Sequence, residues 1–229
     1  GAMQPEVEAI IAALDNHECE CVSGIDFHTG KIGAKTVAVA KCGIGKVFAA
    51  ICAEIMILKY SPSLLVNTGV GGALASGLTT GDIVIADSLC QHDMDTSPLG
   101  DPLGLISGIN IIYIPADPAV TACLADAVGR VGVPCMRGTV ASGDQFICHT
   151  ADKDRIRSTF ETADKPVIAC EMEGAAIAQV AYRNGVPFVV LRAISDKADD
   201  SAEMDYPTFE RIAADRCAKV VMTLAAMMI

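Results

Sequence analysis

The stretch VIACEMEGAAIAQVAYRNGVPFVVLRAISD, running from Val167 to Asp196, decides the fold. Val167 to Cys170 and Val186 to Ile194 are short apolar runs with β-branched residues, the pattern of strands buried on both faces. Between them, Gly174 to Arg183 is Ala-rich with apolar residues at helical spacing. Strand, helix and strand in that order make a βαβ unit, and the alternation extends along the chain. Further strands are expected at Thr36 to Ala40, Leu64 to Asn67, Asp82 to Ala86 and Ile109 to Ile114. Further helices are expected at Val7 to Leu14, Lys46 to Lys59, Pro118 to Val131, Ala151 to Phe160 and Pro207 to Met228. No linker, repeat or low-complexity tract interrupts them, so the sequence predicts one α/β domain over residues 1–229. Its expected form is a three-layer fold, a mixed central β-sheet flanked by helices.

Composition narrows the function. The 229 residues carry 17 Lys+Arg against 28 Asp+Glu, a net charge of −11 that repels polyanions, so no nucleic-acid partner is expected. With 52% apolar residues the chain has ample material for a core, which excludes disorder. The apolar run Val220 to Ile229 has about half of the roughly 20 residues needed to span a bilayer, so no membrane partner is expected. Ten cysteines without a Cys-x-x-Cys pair, among them Cys52, Cys123 and Cys217 in apolar runs, read as buried reduced thiols. No signal-like segment opens the sequence, and the expected compartment is the cytoplasm. Phe48, Phe188 and Phe209 are expected in the core.

In sheets of this kind ligands bind beyond the carboxyl ends of strands, and four motifs fall at such junctions. Thr68-Gly69-Val70-Gly71-Gly72 is either a tight turn or a loop that lets a ligand approach the main chain; it is neither a Walker loop nor a dinucleotide fingerprint. Ser142-Gly143-Asp144-Gln145-Phe146-Ile147 follows another strand. Glu171 and Glu173 lie two apart and share a face if the strand continues through them; they are either a solvated and a helix-starting Glu, or a pocket that grips hydroxyls beside Met172. Asp196 closes the most apolar strand, as a cap or as a proton donor tuned by burial and Arg192. By the period of two Arg192 shares a face with Ile194 and Asp196, and an inward Arg needs a carboxylate from among Glu6, Glu173 and Asp196. His92-Asp93-Met94-Asp95 mixes metal-ligand types, yet His17, His28 and His149 show no partnering pattern, so no metal is expected.

Together with Gly1-Ala2-Met3-Gln4-Pro5-Glu6 and Gly43-Ile44-Gly45-Lys46, and with Asn67 leading the glycine motif, these motifs resemble, in order and spacing, the bacterial 5′-methylthioadenosine/S-adenosylhomocysteine nucleosidases. The resemblance covers nearly the whole chain. The glycine motif is shared with the wider nucleoside phosphorylase superfamily, whereas the Ser-Gly-Asp-x-Phe-Ile, Glu-Met-Glu and Arg-Ala-Ile-Ser-Asp set is more specific. It implies a nucleoside phosphorylase-like fold and hydrolysis of the bond between adenine N9 and ribose C1′ in 5′-thio-substituted adenosines, without a cofactor, as in methionine salvage. By the same resemblance Asp196, positioned by Ser195, is the acid that protonates adenine N7, and Glu6, with Arg192 nearby, is the base for water. Glu173 takes the ribose hydroxyls, Met172 packs under the sugar, Phe146 stacks on adenine and the Ile147 backbone reads its edge. Met3, Ile44 and Tyr206 line the sugar and 5′-thio side, with Val70, Gly71 and Glu171 in the same substrate-binding set.

The sequence also departs from that family. Its members carry a short apolar strand ahead of Gly-Ala-Met, and without it neighbouring strands are expected to lack a partner and Glu6 to be displaced. Tyr206 stands where Phe is usual, and Val70 where Ser is common. The segment Thr96 to Gly108 differs too; in the family it lends apolar groups to the neighbouring subunit's 5′ pocket. Here Leu99, Leu103, Leu105 and Ile106 are the expected contacts of a homodimer. These residues do not rank methylthioadenosine, adenosylhomocysteine, 5′-deoxyadenosine and futalosine. Purine nucleoside phosphorolysis and a non-catalytic nucleoside-binding relative are the alternatives. The first wants arginines for phosphate, and the position before the glycine motif holds Asn67 instead.

Overall fold

The structure, a computed structural model, describes residues 1–228, with the side chains at 203–205 and 207 outside the described part. Ile229, at the end of the apolar C-terminal run, also lies outside it. Helices α1 (Gln4–Ala12), α2 (Lys46–Tyr60), α3 (Pro118–Val131), α4 (Thr150–Phe160), α5 (Gly174–Asn184) and α6 (Ala202–Met227) alternate with nine strands. Strands β1 (Asp15–Val22), β2 (Ile25–Ile32) and β3 (Lys35–Ala40) form an antiparallel meander. The six others are β4 (Leu65–Ala73), β5 (Ile83–Gln91), β6 (Ile114–Pro115), β7 (Cys135–Ser142), β8 (Val167–Glu171) and β9 (Phe188–Asp196). They form a mixed sheet in the order β6-β5-β7-β8-β4-β9, and β5 also pairs with β9, so the sheet turns back on itself. This is the mixed α/β architecture that the alternation predicts.

Strand β9 shows why its sequence reads as one continuous apolar run. Val190 and Ile194 enter a core shared with Ala175, Ala178 and Ala181 of α5, while Val189, Leu191 and Ala193 enter a second core with α3 and α6. Both faces are covered by helices, so neither side needs a polar residue. The alternation breaks at the end: Gly71 faces Ile194 but Gly72 faces Asp196, leaving Ser195 unmatched in the register. The period-two reading that put Asp196 on the face of Arg192 therefore does not carry through this irregularity.

Several elements depart from expectation. The run at Ile109 to Ile114 is strand only at Ile114–Pro115; Gly108 and Asn110 adopt positive φ and make a turn there. Strands β1 and β2 were not expected, and β7 was expected only as a strand without bounds ahead of the Ser142 motif. Strand β1 is exposed along nearly its whole length and lacks the apolar alternation that marks a strand, and Arg137-Gly138 breaks the apolar pattern of β7. Phe48 is 56% exposed and lies outside the core, whereas Phe188 is buried. Ile106 is a core residue and not a surface contact. All ten cysteines are free thiols, but Cys123 is exposed, as are Cys19, Cys21 and Cys135. No helix of the described residues is long and apolar enough to cross a membrane.

Strands β3 and β4 are not paired with each other. A cleft of about 260 Å³ runs between them, lined by every residue of β3 and by Leu65, Val66 and Thr68 of β4. The expected displacement of Glu6 does not occur. The amides of Cys42 and Gly43 donate to the carbonyls of Gly1 and Ala2 at 2.9 and 3.1 Å, which fixes the start of α1 against the end of β3.

Candidate active site

A cavity of about 360 Å³ opens where β4, β8 and β9 end and α1 begins. Its size suits a nucleoside-scale ligand. Of the fourteen site residues expected from sequence, thirteen line it, from Met3, Glu6 and Ile44 through Glu171, Met172 and Glu173 to Ser195 and Asp196. Val70, Gly71, Phe146, Ile147 and Tyr206 complete the set. Arg192 is the exception. It is 1% exposed and does not line the cavity.

Glu6 sits in the first turn of α1 and is 3% exposed. Its Oε2 accepts the amides of Ala2 (2.6 Å) and Met3 (3.0 Å), and its Oε1 accepts the amide of Val70 (3.0 Å). Three fixed N–H donors and a helix N-terminus hold this buried carboxyl in place. The glycines of β4 make room for it. None of Gly69, Gly71 and Gly72 has a positive φ, so the motif is strand, and neither the tight turn nor the loop considered from sequence. A Cβ at Gly69 would lie 2.5 Å from Glu6 Oε1, and one at Gly72 would lie 2.8 Å from Asp196 Oδ1. These two glycines clear space for the two carboxylates. Three residues of strand separate them, on the order of 10 Å, which sets Glu6 and Asp196 apart along the cavity.

Asp196 ends β9 and is 2% exposed. Ser195 Oγ donates to its Oδ2 and the amide of Ala198 to its Oδ1, both at 2.8 Å. Glu171 and Glu173 do not share a strand face, because β8 stops at Glu171 and Glu173 is the residue that caps α5. Glu171 accepts bonds from Ser142 Oγ, from the Arg192 guanidinium and from the amides of Glu173 (3.1 Å) and Gly174 (2.7 Å). The partner of Arg192 is thus Glu171, which was not among its three sequence candidates; Glu173 lies farther off at 4.0 Å. The rest of the guanidinium donates to Asn67 Oδ1 and to the carbonyls of Asn67 and Leu191. This ion pair is internal scaffolding behind the cavity.

Glu173 accepts the amide of Gly45 at 2.9 Å. Burial, then the nearby Glu171 charge, push its carboxyl up to about 7, against the opposing pull of Arg192 and the Gly45 amide. Phe146 is 47% exposed at the cavity wall, and Tyr206 meets it edge-on with ring centroids 5.5 Å apart. The Tyr206 hydroxyl contacts Met3 Sδ at 3.2 Å, and burial raises its pKa. Ala2, Gly72, Gln145 and Cys170 also line the cavity. Sequence reasoning passed them over; Ala2, Gly72 and Gln145 lay inside quoted motifs, while Cys170 ends an expected strand and carries no chemical signal.

Residues 1–226 match the model of the phosphorylase superfamily. The 5′-methylthioadenosine/S-adenosylhomocysteine nucleosidase of Shewanella baltica strain OS155 is 39% identical over 225 residues, 98% of this chain and 93% of that protein. The S-adenosylhomocysteine nucleosidase of Streptococcus pyogenes, solved with 5-methylthiotubericidin, superposes with a TM-score of 0.93 at 33% identity, covering 100% of this chain and 95% of that one. Futalosine hydrolase of Helicobacter pylori strain 26695 superposes equally, with a TM-score of 0.93 at 33% identity over 99% of this chain and 95% of that one.

Proposed function

This chain belongs to the phosphorylase superfamily, among its 5′-methylthioadenosine/S-adenosylhomocysteine nucleosidases, and from that premise we propose how its residues work. It is an N-glycosyl hydrolase that cleaves 5′-methylthioadenosine and S-adenosylhomocysteine to release adenine. The proposal concerns the assignment of roles. Asp196, held by Ser195 Oγ, donates a proton to adenine N7, so the base leaves neutral as positive charge develops on the sugar. Glu6, held by three amides toward the other end of the cavity, orients and deprotonates the attacking water. Glu173 accepts the ribose hydroxyls, Met172 packs against the sugar, and Phe146 and Ile147 receive the base. Met3, Ile44 and Tyr206 face the 5′ substituent.

The observation that carries water rather than phosphate as the nucleophile is the charge of the lining. Among the described residues four carboxylates, Glu6, Glu171, Glu173 and Asp196, line the cavity and no Lys or Arg does. A phosphate ion would meet net negative charge without a guanidinium or ammonium to receive it. Arg192 is committed to Asn67 and to Glu171. The test is incubation with 5′-methylthioadenosine with and without phosphate. Free 5-methylthioribose at equal rates in both is expected; a phosphorylated sugar that appears only with phosphate overturns the assignment. Running 5′-deoxyadenosine and futalosine beside it ranks the 5′ substituents.

We also propose a homodimer in the cytoplasm. Leu99 is 84% exposed, and Val47 and Phe48 of α2 are 69% and 56% exposed, apolar surface suited to a second copy. Light scattering on the same preparation is expected to return about twice the 23.8 kDa chain mass, and a monomer would sink this part.

A further inference from the structure

Three loops far apart in sequence converge at the rim of the cavity, and a closed ring of hydrogen bonds joins them. The backbone N–H of Lys46, first residue of α2, donates to Asp144 Oδ1 at 2.7 Å. The backbone N–H of Asp144 donates to Asp93 Oδ2 at 2.9 Å. The ammonium of Lys46 returns to Asp93 Oδ1 at 2.5 Å and also donates to Gln91 Oε1 at 3.3 Å. Gln91 in turn donates to Gln179 Oε1 of α5 at 2.8 Å. The Lys46 and Asp93 side chains are only 18% and 20% exposed, so the pair is partly desolvated.

The ring stands next to both halves of the ligand site. One residue before Lys46, the amide of Gly45 donates to Glu173, the proposed ribose grip, and Ile44 lines the cavity. Directly after Asp144 come Gln145, Phe146 and Ile147, all in the lining on the adenine side. The backbone is shaped for this contact. Gly45 has φ +97, and a Cβ there would lie 3.0 Å from Asp144 Oδ1. On the other side of Asp144, a Cβ at Gly143 would collide with the His92 ring, so this loop is packed down onto the residue beside Asp93. Burial raises the Asp93 carboxyl pKa, but the Lys46 ammonium and the Asp144 amide outweigh it and hold the group below its ordinary value.

We propose that Lys46, Asp93 and Asp144 form a clasp that positions the adenine-binding loop of Phe146 and Ile147 against the ribose-binding Glu173. This rests on the hydrolytic reading of the site and assigns positioning residues that touch no reacting atom. Without the clasp the loop can drift from α2, so contacts to the base weaken alike in the ground and transition states. Such a loss raises KM and leaves kcat nearly unchanged.

The test is Lys46→Met, which keeps the aliphatic stem and removes the charge, with adenine alone as the probe in calorimetry. Adenine Kd and the KM for 5′-methylthioadenosine are expected to rise roughly 10- to 100-fold while kcat falls less than threefold. Lys46→Arg is expected to recover most of the affinity. The double variant Lys46→Met/Asp93→Asn is expected to be no worse than either single, because the partners act as one unit. An unchanged adenine Kd, or losses that multiply in the double variant, overturns the clasp. So does an affinity loss that follows a falling melting temperature and is not recovered by Lys46→Arg. Adenine binding needs no turnover, so an unmutated protein that binds adenine yet releases none from nucleosides refutes the hydrolytic reading alone.

Discussion

Replacing Gly69 with Ala adds one carbon to β4, 2.5 Å from Glu6 Oε1 and 3.0 Å from its Cδ. Ordinary contact begins at 3.4 Å, so the carboxyl must retreat by about 0.9 Å, away from the Val70 amide that holds it. The backbone itself does not object. Gly69 has no positive φ, and Ala in a strand is favoured over Gly by about 0.5–1 kcal/mol. The cost therefore falls on placement of the water-activating base, where a shift of about 1 Å costs on the order of 100-fold in rate, or about 2.7 kcal/mol of barrier. Glu6 acts on water and not on the nucleoside in this scheme, so kcat is expected to fall about 100-fold while KM stays within threefold. Adenine release at saturating 5′-methylthioadenosine measures the first, and thermal melting followed by circular dichroism checks that the fold is kept. A variant with parent-like melting and a kcat within fivefold of the parent refutes the idea that Gly69 exists to make room for Glu6.

Two further outcomes are expected. Asp196→Asn keeps the shape of the site but cannot protonate N7, so adenine release is lost while calorimetry still detects nucleoside binding; substantial turnover in that variant removes Asp196 from the acid role. Because Glu173 is raised to about 7 in the folded protein, against about 4.3 in an unfolded chain, the folded state holds a proton that the unfolded state gives up. Stability relative to Glu173→Gln should then fall as pH rises from about 4.5 to 7 and level off above; melting curves whose difference stays flat across that window contradict the raised pKa.

What the sequence disclosed follows from physical signals that are strong locally. The two-sided burial of β9 left a run of Val, Leu and Ile that only a covered strand tolerates, and Gly174 to Arg183 read as a helix because its small residues pack α5 against the strands. Strand β1 was invisible because almost none of it is buried, so nothing in its residues alternates. At the site, residue types were legible and geometry was not. The glycines of β4 invite a loop reading on conformational grounds, whereas their actual reason is steric and depends on Glu6 and Asp196 arriving from distant segments. The Arg192 partner was missed for a related reason. Which of Glu171 and Glu173 turns toward Arg192 depends on where β8 stops, and only its end at Glu171 sets the two carboxyls to different tasks.

That divergence explains how an acidic pocket can exist in a stable fold. Two glutamates separated by one residue, both under 10% exposed, would repel strongly if both were left as bare anions. The chain resolves this by giving them unequal surroundings. Glu171 receives a buried guanidinium, a serine hydroxyl and two amides at the start of α5, so its charge is matched on the spot. Glu173 has one amide, from Gly45, and otherwise faces the cavity, where burial and the neighbouring charge favour its protonated form when no ligand is bound. A ligand that brings two hydroxyl donors supplies the partners that Glu173 lacks, and a carboxylate accepting both is then favoured over the protonated form. The same arrangement disfavours phosphate as a nucleophile in the cavity, because among the described residues no guanidinium lines it and that of Arg192, behind it, is already matched by Glu171. The proposed grip on the ribose hydroxyls and the use of water rather than phosphate thus share one structural origin, the burial of Arg192 behind the pocket wall.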